Sequence, residues 1–188
     1  MSRKPSHKPQ PKPSPTVAVA NKSKAAIGQL DSAILLWFME RDPISILVLA
    51  SNAHDCYHAL GKKMGKPSVM QQALERIPLS FQERHRYIQD FAKHGFKDLD
   101  ENVPFEPAIA EAVMTLSVDC HRQIIGELTP LMALFWLRIF HEHPSFVKRE
   151  QFPKEVQDSG LLDQAGHGSR KQCLERFKPF LIQLGDAL

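Results

Sequence analysis

Three side chains of one predicted helix combine a cation, a carboxylate and an imidazole at regular spacing. Arg86, Asp90 and His94 follow one another at four-residue intervals. Residues four apart lie on the same face of a helix, so all three side chains line one side of it. Histidine is the side chain whose ordinary pKa lies nearest to neutral pH, which suits proton transfer. We therefore predict Arg86, Asp90 and His94 as candidate catalytic residues; the alternative is the solvated face of an amphipathic helix.

The helix that carries these residues has clear ends in the sequence. Ser80 and Glu83 match the capping box, in which two side chains satisfy N–H groups of the first turn. Gly95 follows His94 and can adopt the positive φ that commonly ends a helix. These signals predict a helix over residues 81–94.

A pair of histidines forms a second candidate site. His54 and His58 are four residues apart in H-D-C-Y-H, which resembles the zinc-binding pattern H-E-x-x-H with Asp55 in place of glutamate. A shorter carboxylate would hold a general base further from a metal-bound water. We predict His54 and His58 as candidate metal ligands; the alternative is a partly buried or surface pair of histidines.

Two further histidines flank Glu142 just before Pro144. His141 and His143 stand at the predicted end of a helix, where cations are stabilised by the helix dipole. We interpret these histidines as capping the helix end.

The composition is that of a globular protein, and the sequence contains no phosphate-binding Gly-rich loop. The chain has 188 residues, of which 43% are hydrophobic, and no apolar run reaches the roughly 20 residues that a membrane span requires. Cys56, Cys120 and Cys173 match no zinc-binding spacing and are odd in number. These features predict reduced thiols, a cytoplasmic location, and neither a cofactor nor a membrane contact.

Residues 1–24 have a composition of their own. They are rich in proline and lysine and contain six basic residues but no acidic residue. Because the whole chain has a net charge of +3, the remainder has a net charge of −3. Such a segment favours extended conformations and cannot bury a core. We predict a disordered tail, either merely solubilising or in weak contact with RNA or another polyanion. The nucleic-acid candidates are Lys4, Lys8, Lys12 and, in the helix, Lys93.

The remaining chain predicts an all-α fold. Asp42-Pro43 and Thr129-Pro130 each place a capping residue before a proline at the first helical position. No alternating strand pattern is present. We expect an antiparallel bundle of four or five main helices plus short helices in one domain, 25–188, with a core over 25–144 and a C-terminal extension over 145–188. The predicted helices are 24–41, 43–64, 69–76, 81–94, 107–125, 131–141, 153–158 and 169–184, with a loop marked by Gly160, Gly166 and Gly168.

Three stretches resemble an uncharacterised family of all-helical proteobacterial proteins. They are R-D-P-I-S-I-L-V-L-A at residues 41–50, D-F-A-K-H-G-F-K-D-L-D at 90–100 and G-E-L-T-P-L-M at 126–132. At the positions of the second stretch, the sequence of the family is closer to N-F-F-K-H-A-D-x-D-P. The resemblance spans residues 29–144 and implies a helical fold.

The chain is more distantly similar to HEPN domains, helical bundles that often act as metal-independent RNases. In them an arginine and a histidine separated by four to six residues act across a dimer interface, the arginine on the phosphate and the histidine in proton transfer. Here seven residues separate Arg86 from His94, and Asp90 stands where related sequences have asparagine.

The sequence leaves three functions open. The first is a non-enzymatic helical module that binds a partner or a second copy of itself. The second is a HEPN-like RNase, or a degenerate relative, acting through Arg86 and His94. The third is a metal-dependent hydrolase using His54 and His58.

Overall fold

The computed structural model describes residues 21–66, 83, 86, 90, 104–145 and 147–184. All regular structure within these residues is helical, which confirms the predicted all-α class. Glu83, Arg86 and Asp90 are helical, in agreement with the predicted helix over 81–94, whose other residues lie outside the described part. The helices with described bounds are α1 (Lys22–Phe38), α2 (Pro43–Lys63), α3 (Pro107–Ile124), α4 (Pro130–Glu142), a 3₁₀ turn (Arg149–Gln151), α5 (Lys154–Asp158), α6 (Leu161–Gly166) and α7 (Arg170–Gln183).

The helix starts follow the capping chemistry of the sequence. Asp42 accepts the N–H of Ser45 over 2.8 Å at the start of α2. Thr129 accepts the N–H of Met132 over 3.1 Å before α4. Because these side chains replace the missing first-turn acceptors, each start is fixed locally, as predicted.

At the N-terminal end, the predicted tail is slightly too long. Asn21 caps α1 by accepting the N–H of Lys24 over 2.8 Å, so residues 22–24 belong to the first helix. The rest of the predicted tail, residues 1–20, lies outside the described residues.

Helices α1, α2 and α3 pack side by side, with α2 in the middle. Ser117 Oγ donates to the carbonyl of Ala50 over 3.1 Å, and Gly61 lies directly against Ile124 near the other end of both helices. Contacts that advance in the same direction along both helices show that α2 and α3 run parallel. The segment 67–103, of which the structure describes only residues 83, 86 and 90, connects them.

Helix α4 is buried on most sides, as its apolar sequence predicted. Seven of its thirteen residues are buried, including Leu134, Phe135 and Ile139. The Trp37 and Phe135 rings meet edge to face at 5.0 Å, which fixes α4 against α1. Within the described residues, no helix is both long and apolar enough to cross a membrane.

The predicted loop after residue 158 is wrong in part. Leu161–Gly166 forms α6, because Leu162 and Ala165 are buried and anchor the turn in the core. Gly160, at φ 73°, supplies the left-handed residue that starts it. The buried residues of α6 and α7 belong to the same core as those of α1 to α4.

Candidate functional site

The structure describes two of the three predicted catalytic residues. Arg86 and Asp90 are helical and exposed, and their spacing places them on one face. His94 and Lys93 lie outside the described residues, as do Lys4, Lys8 and Lys12 in the tail. The predicted constellation therefore stays a prediction.

The structure places the two predicted metal ligands in different environments. His54 is buried, 5% exposed, and its Nδ1 lies 3.7 Å from the thiol of Cys120 on α3. His58 is exposed. Among the described residues, no group of three metal-ligating side chains includes either histidine. Metal binding by this pair stays a prediction.

His54 and Cys120 belong to a neutral cluster between α2 and α3, formed by His54, Tyr57, Cys120 and His121. His121 Nε2 donates to the carbonyl of Glu127 over 2.7 Å, because a carbonyl can only accept. Nδ1 of His121 is therefore the acceptor for the Tyr57 hydroxyl, 2.9 Å away. Burial lowers the pKa of His121 and outweighs the opposing effect of the Glu127 carbonyl. The cluster joins the two helices through the hydrogen bond of the neutral pair Tyr57 and His121.

Among the described residues, the densest group of ionisable side chains lies elsewhere, where α3, α4 and α7 meet. This charged cluster consists of Glu111, Arg138, Glu142, His143 and Arg170. Arg170 Nη2 contacts Glu111 Oε1 and Glu142 Oε2, each at 2.5 Å, and Nε contacts Glu142 Oε2 at 2.9 Å. His143 Nε2 donates to Glu111 Oε2 over 2.6 Å. Three helices therefore converge on two carboxylates.

Arg138 explains how a charged residue can lie within the apolar helix α4. Its Nε donates to Glu142 over 2.6 Å, and its remaining nitrogens donate to three backbone carbonyls of the α6–α7 connection. Those acceptors are the carbonyls of Ala165, Gly166 and Gly168, at 3.0, 3.2 and 2.9 Å. A buried guanidinium is tolerated when its donors are satisfied in this way.

Trp37 of α1 completes the positioning of Arg170. Its indole Nε1 donates to Glu111 Oε1 over 3.0 Å, and the guanidinium of Arg170 stacks on its ring at 4.1 Å. An arginine held by two carboxylates and an aromatic face has few alternative rotamers. The guanidinium of Arg170 is therefore held in one position.

The carboxylates of the charged cluster are paired with arginines. Burial opposes ionisation of Glu142, but Arg170 and Arg138 outweigh it and lower the pKa of Glu142. Two arginines balance two glutamates. Ligand atoms of Glu111, Glu142 and His143 lie within 4.8 Å of one another, as in a metal site. Because Arg170 contacts both carboxylates, a metal ion would have to displace it.

A pocket of about 230 Å³ adjoins the charged cluster. It lies beneath the turn between α1 and α2 and beside the start of α3. Its polar lining is Glu40, Arg41, Glu111 and Arg170. Its apolar lining is Trp37, Pro43, Ile46, Pro107 and Ala110. A concave, mostly apolar site with a few convergent polar groups is typical of small-ligand binding.

Glu40 lines this pocket from a strained backbone position. Its φ is 54°, the only positive value at a non-glycine residue in the described chain. The N–H of Arg41 bonds the carbonyl of Leu36 over 2.9 Å, and the N–H of Glu40 bonds the carbonyl of Trp37 over 3.0 Å. These two bonds form a Schellman motif, in which the residue at this position is usually glycine. A glutamate is therefore kept here at a cost in backbone energy.

Sequence reasoning missed most of the charged cluster. Glu142 and His143 were interpreted only as part of a helix end, whereas the structure shows both in contact with other helices. His141 instead donates to the carbonyl of Leu162. The available signal was Arg138 within the run L-M-A-L-F-W-L-R-I-F, since an arginine in a buried helix requires acceptors. That signal does not say which residues supply them.

No protein-family model, curated protein or solved structure matches the chain. The resemblances to a proteobacterial helical family and to HEPN domains therefore stay predictions.

Proposed function

We propose that the chain is a non-enzymatic helical binding module that holds a small ligand in the pocket beneath the α1–α2 turn. The observation that carries this proposal is that one of the side chains lining the pocket is fixed in position by the charged cluster. Arg170 lines the pocket, and its position is set by contacts to Glu111, Glu142 and Trp37. A side chain fixed before the ligand arrives loses little conformational entropy on binding.

The chemistry of the same groups favours binding over proton transfer. Burial opposes the charged forms of Glu142 and Arg170, but oppositely charged members of the cluster outweigh it, so the pKa of Glu142 is lowered and that of Arg170 is raised. A general acid or base works best with a pKa near the operating pH. These two side chains are therefore suited to fixed electrostatic recognition.

Trp37 provides the direct test. The chain has two tryptophans, and Trp136→Phe leaves Trp37 as the single reporter at the pocket. We expect small ligands of suitable charge to produce a saturable change in Trp37 fluorescence and to be recovered chemically unchanged. Conversion of a bound ligand, abolished by Arg170→Gln in a folded protein, would contradict the non-enzymatic assignment. If no ligand class changes the Trp37 fluorescence, the proposed binding of a ligand in the pocket is contradicted.

A metal-independent RNase is the second candidate. The observation in its favour is that Arg86 is exposed, where a polyanion can reach its guanidinium, with Asp90 on the same helical face. RNA incubated with the protein in EDTA tests it, with His94→Ala as the variant and His58→Ala as a matched control on another helix. Cleavage that His94→Ala removes and His58→Ala retains would favour the RNase. Intact RNA after incubation with the unmodified protein would exclude it.

A further inference from the structure

We infer that the ligand of the pocket is an amino-acid-like zwitterion with an apolar side chain, an inference that rests on the binding function proposed above. The pocket presents two cations and two anions together with an aromatic and aliphatic wall. A ligand that carries both a carboxylate and an ammonium group matches this set. A ligand with a single charge would interact with only the cations or only the anions of the pocket.

The carboxylate is assigned to Arg170 and Arg41. Arg170 donates to the charged cluster through Nε and Nη2, and its Nη1 forms no hydrogen bond with any described residue. Guanidinium N–H groups are well suited to carboxylate oxygens. The charge of Arg170 is already balanced within the cluster, so Arg41, exposed at the rim, supplies the compensating positive charge.

The ammonium group is assigned to Glu40. Glu111 also lines the pocket, but it already accepts hydrogen bonds from Trp37, His143 and Arg170. Glu40 is exposed at the rim and forms no ion pair with a described residue. Glycine would relieve the strain at its positive φ. A carboxylate kept at such a position is consistent with a direct role for its side chain.

The apolar part of the ligand is limited by the volume of the pocket. About 230 Å³ corresponds to roughly eight water molecules at about 30 Å³ each. That is on the order of one aromatic amino acid. Pro43, which is half-buried, and Pro107, which is exposed, provide the accessible apolar surface for its side chain.

Three probes that differ by one charged group test this inference. L-Phenylalanine carries both charges, 3-phenylpropionate lacks the ammonium, and phenethylamine lacks the carboxylate. We expect L-phenylalanine to bind the Trp136→Phe protein roughly tenfold more tightly than either analogue, since each lost charge-assisted hydrogen bond weakens binding. Trp37 fluorescence and calorimetry both give the dissociation constants.

Two rim variants assign the groups. Glu40→Gln should weaken L-phenylalanine to the level of 3-phenylpropionate and leave 3-phenylpropionate unchanged. Arg41→Gln should weaken L-phenylalanine only part of the way to the level of phenethylamine, because Arg170 still contacts the carboxylate, and should leave phenethylamine unchanged. Lys63→Gln, an exposed charge at the far end of α2, is the matched control and should change nothing.

The outcomes separate this inference from the function on which it rests. If an analogue binds as tightly as L-phenylalanine, or if neither rim variant changes binding, the zwitterion assignment is overturned while the binding pocket stands. If none of the three probes produces a saturable response, the zwitterion assignment is overturned, and a flat response to every ligand class overturns the binding function proposed for the pocket as well.

Discussion

The neutral and charged clusters solve the problem of polar groups between helices in different ways. The neutral cluster is closed, because His121 bonds both Tyr57 and the Glu127 carbonyl and is itself 1% exposed. The charged cluster borders a pocket, and the side chains of His143 and Arg170 are 31% and 25% exposed. Full enclosure suits a purely structural role, whereas partial exposure beside a cavity gives charged groups access to a ligand.

The two clusters also differ in what they connect. The neutral cluster joins α2 and α3, which already share a long apolar contact. The charged cluster joins α3 and α4 to α7, and through Arg138 to the α6–α7 connection. We therefore expect the C-terminal helices to depend on ionic contacts more than the first three helices do.

We expect the largest loss in the free energy of unfolding from Arg138→Met, which keeps the apolar part of the side chain and removes the guanidinium. Glu142 would lose one partner, and three backbone carbonyls would lose their donors. Breaking a buried pair in this way costs roughly 3–5 kcal/mol. Urea denaturation measures the change in the free energy of unfolding.

Arg122→Met is the matched control for that variant. Arg122 pairs with Asp119 on the surface of α3, and its side chain is 37% exposed. Exposed pairs contribute about 0–1 kcal/mol. Equal destabilisation by the two variants would contradict the importance of the charged cluster.

Acid should weaken the two clusters in different pH ranges. Because burial lowers the pKa of His121, the unfolded chain binds its proton first, and stability falls as the pH drops below the ordinary value of 6.5. The pKa of Glu142 is lowered by Arg170 and Arg138 against the effect of burial, so its contribution is present above 4.5 and is lost at lower pH. The neutral cluster should therefore weaken first.

Urea denaturation at several pH values separates the two effects. His121→Gln should flatten the decline in unfolding free energy just below pH 6.5, and Glu142→Gln should flatten the decline below pH 4.5. Identical profiles for wild type and both variants would refute the assignment of the two ranges.

A smaller effect is expected from Tyr57→Phe. The variant removes the hydroxyl that donates to His121 Nδ1 and leaves that buried acceptor without this donor. The cost of such an unsatisfied group is about 1–2 kcal/mol. A loss as large as that of Arg138→Met, measured under the same conditions, would show that the neutral cluster is not the weaker of the two.

The smallest effect, and one of opposite sign, is expected from Glu40→Gly. Relief of left-handed strain stabilises by about 1–2 kcal/mol, and the greater freedom of glycine in the unfolded chain offsets about 0.4–1 kcal/mol of it. We expect a net stabilisation of roughly 0.5–1 kcal/mol together with weaker ligand binding. Gly65→Ala is the converse control, since Gly65 ends α2 at φ 68° and alanine should destabilise there.

The fold could be predicted because its signals are local. Asp42-Pro43 and Thr129-Pro130 each mark a helix start within a few residues of sequence, and both caps form. Helix α6 was missed because three nearby glycines suggested a loop, and the burial of Leu162 and Ala165 is a tertiary effect.

The candidate site could not be predicted because its members are distant in sequence. Glu111 and Arg170 are 59 residues apart and meet only when α7 packs against α3 and α4. Nothing near Glu111 in A-I-A-E-A-V indicates a partner, and Glu40 looks like an ordinary surface residue until its backbone conformation is known. The sequence drew attention to Arg86, Asp90 and His94 because regular spacing within one helix is visible without a structure.

A crystal structure of the protein with L-phenylalanine tests the central claim most directly. We predict the ligand in the pocket beneath the α1–α2 turn, with its carboxylate within hydrogen-bonding distance of Arg170 Nη1 and its ammonium group facing Glu40. A ligand bound elsewhere, or bound in the pocket with these two ends reversed, would contradict the account.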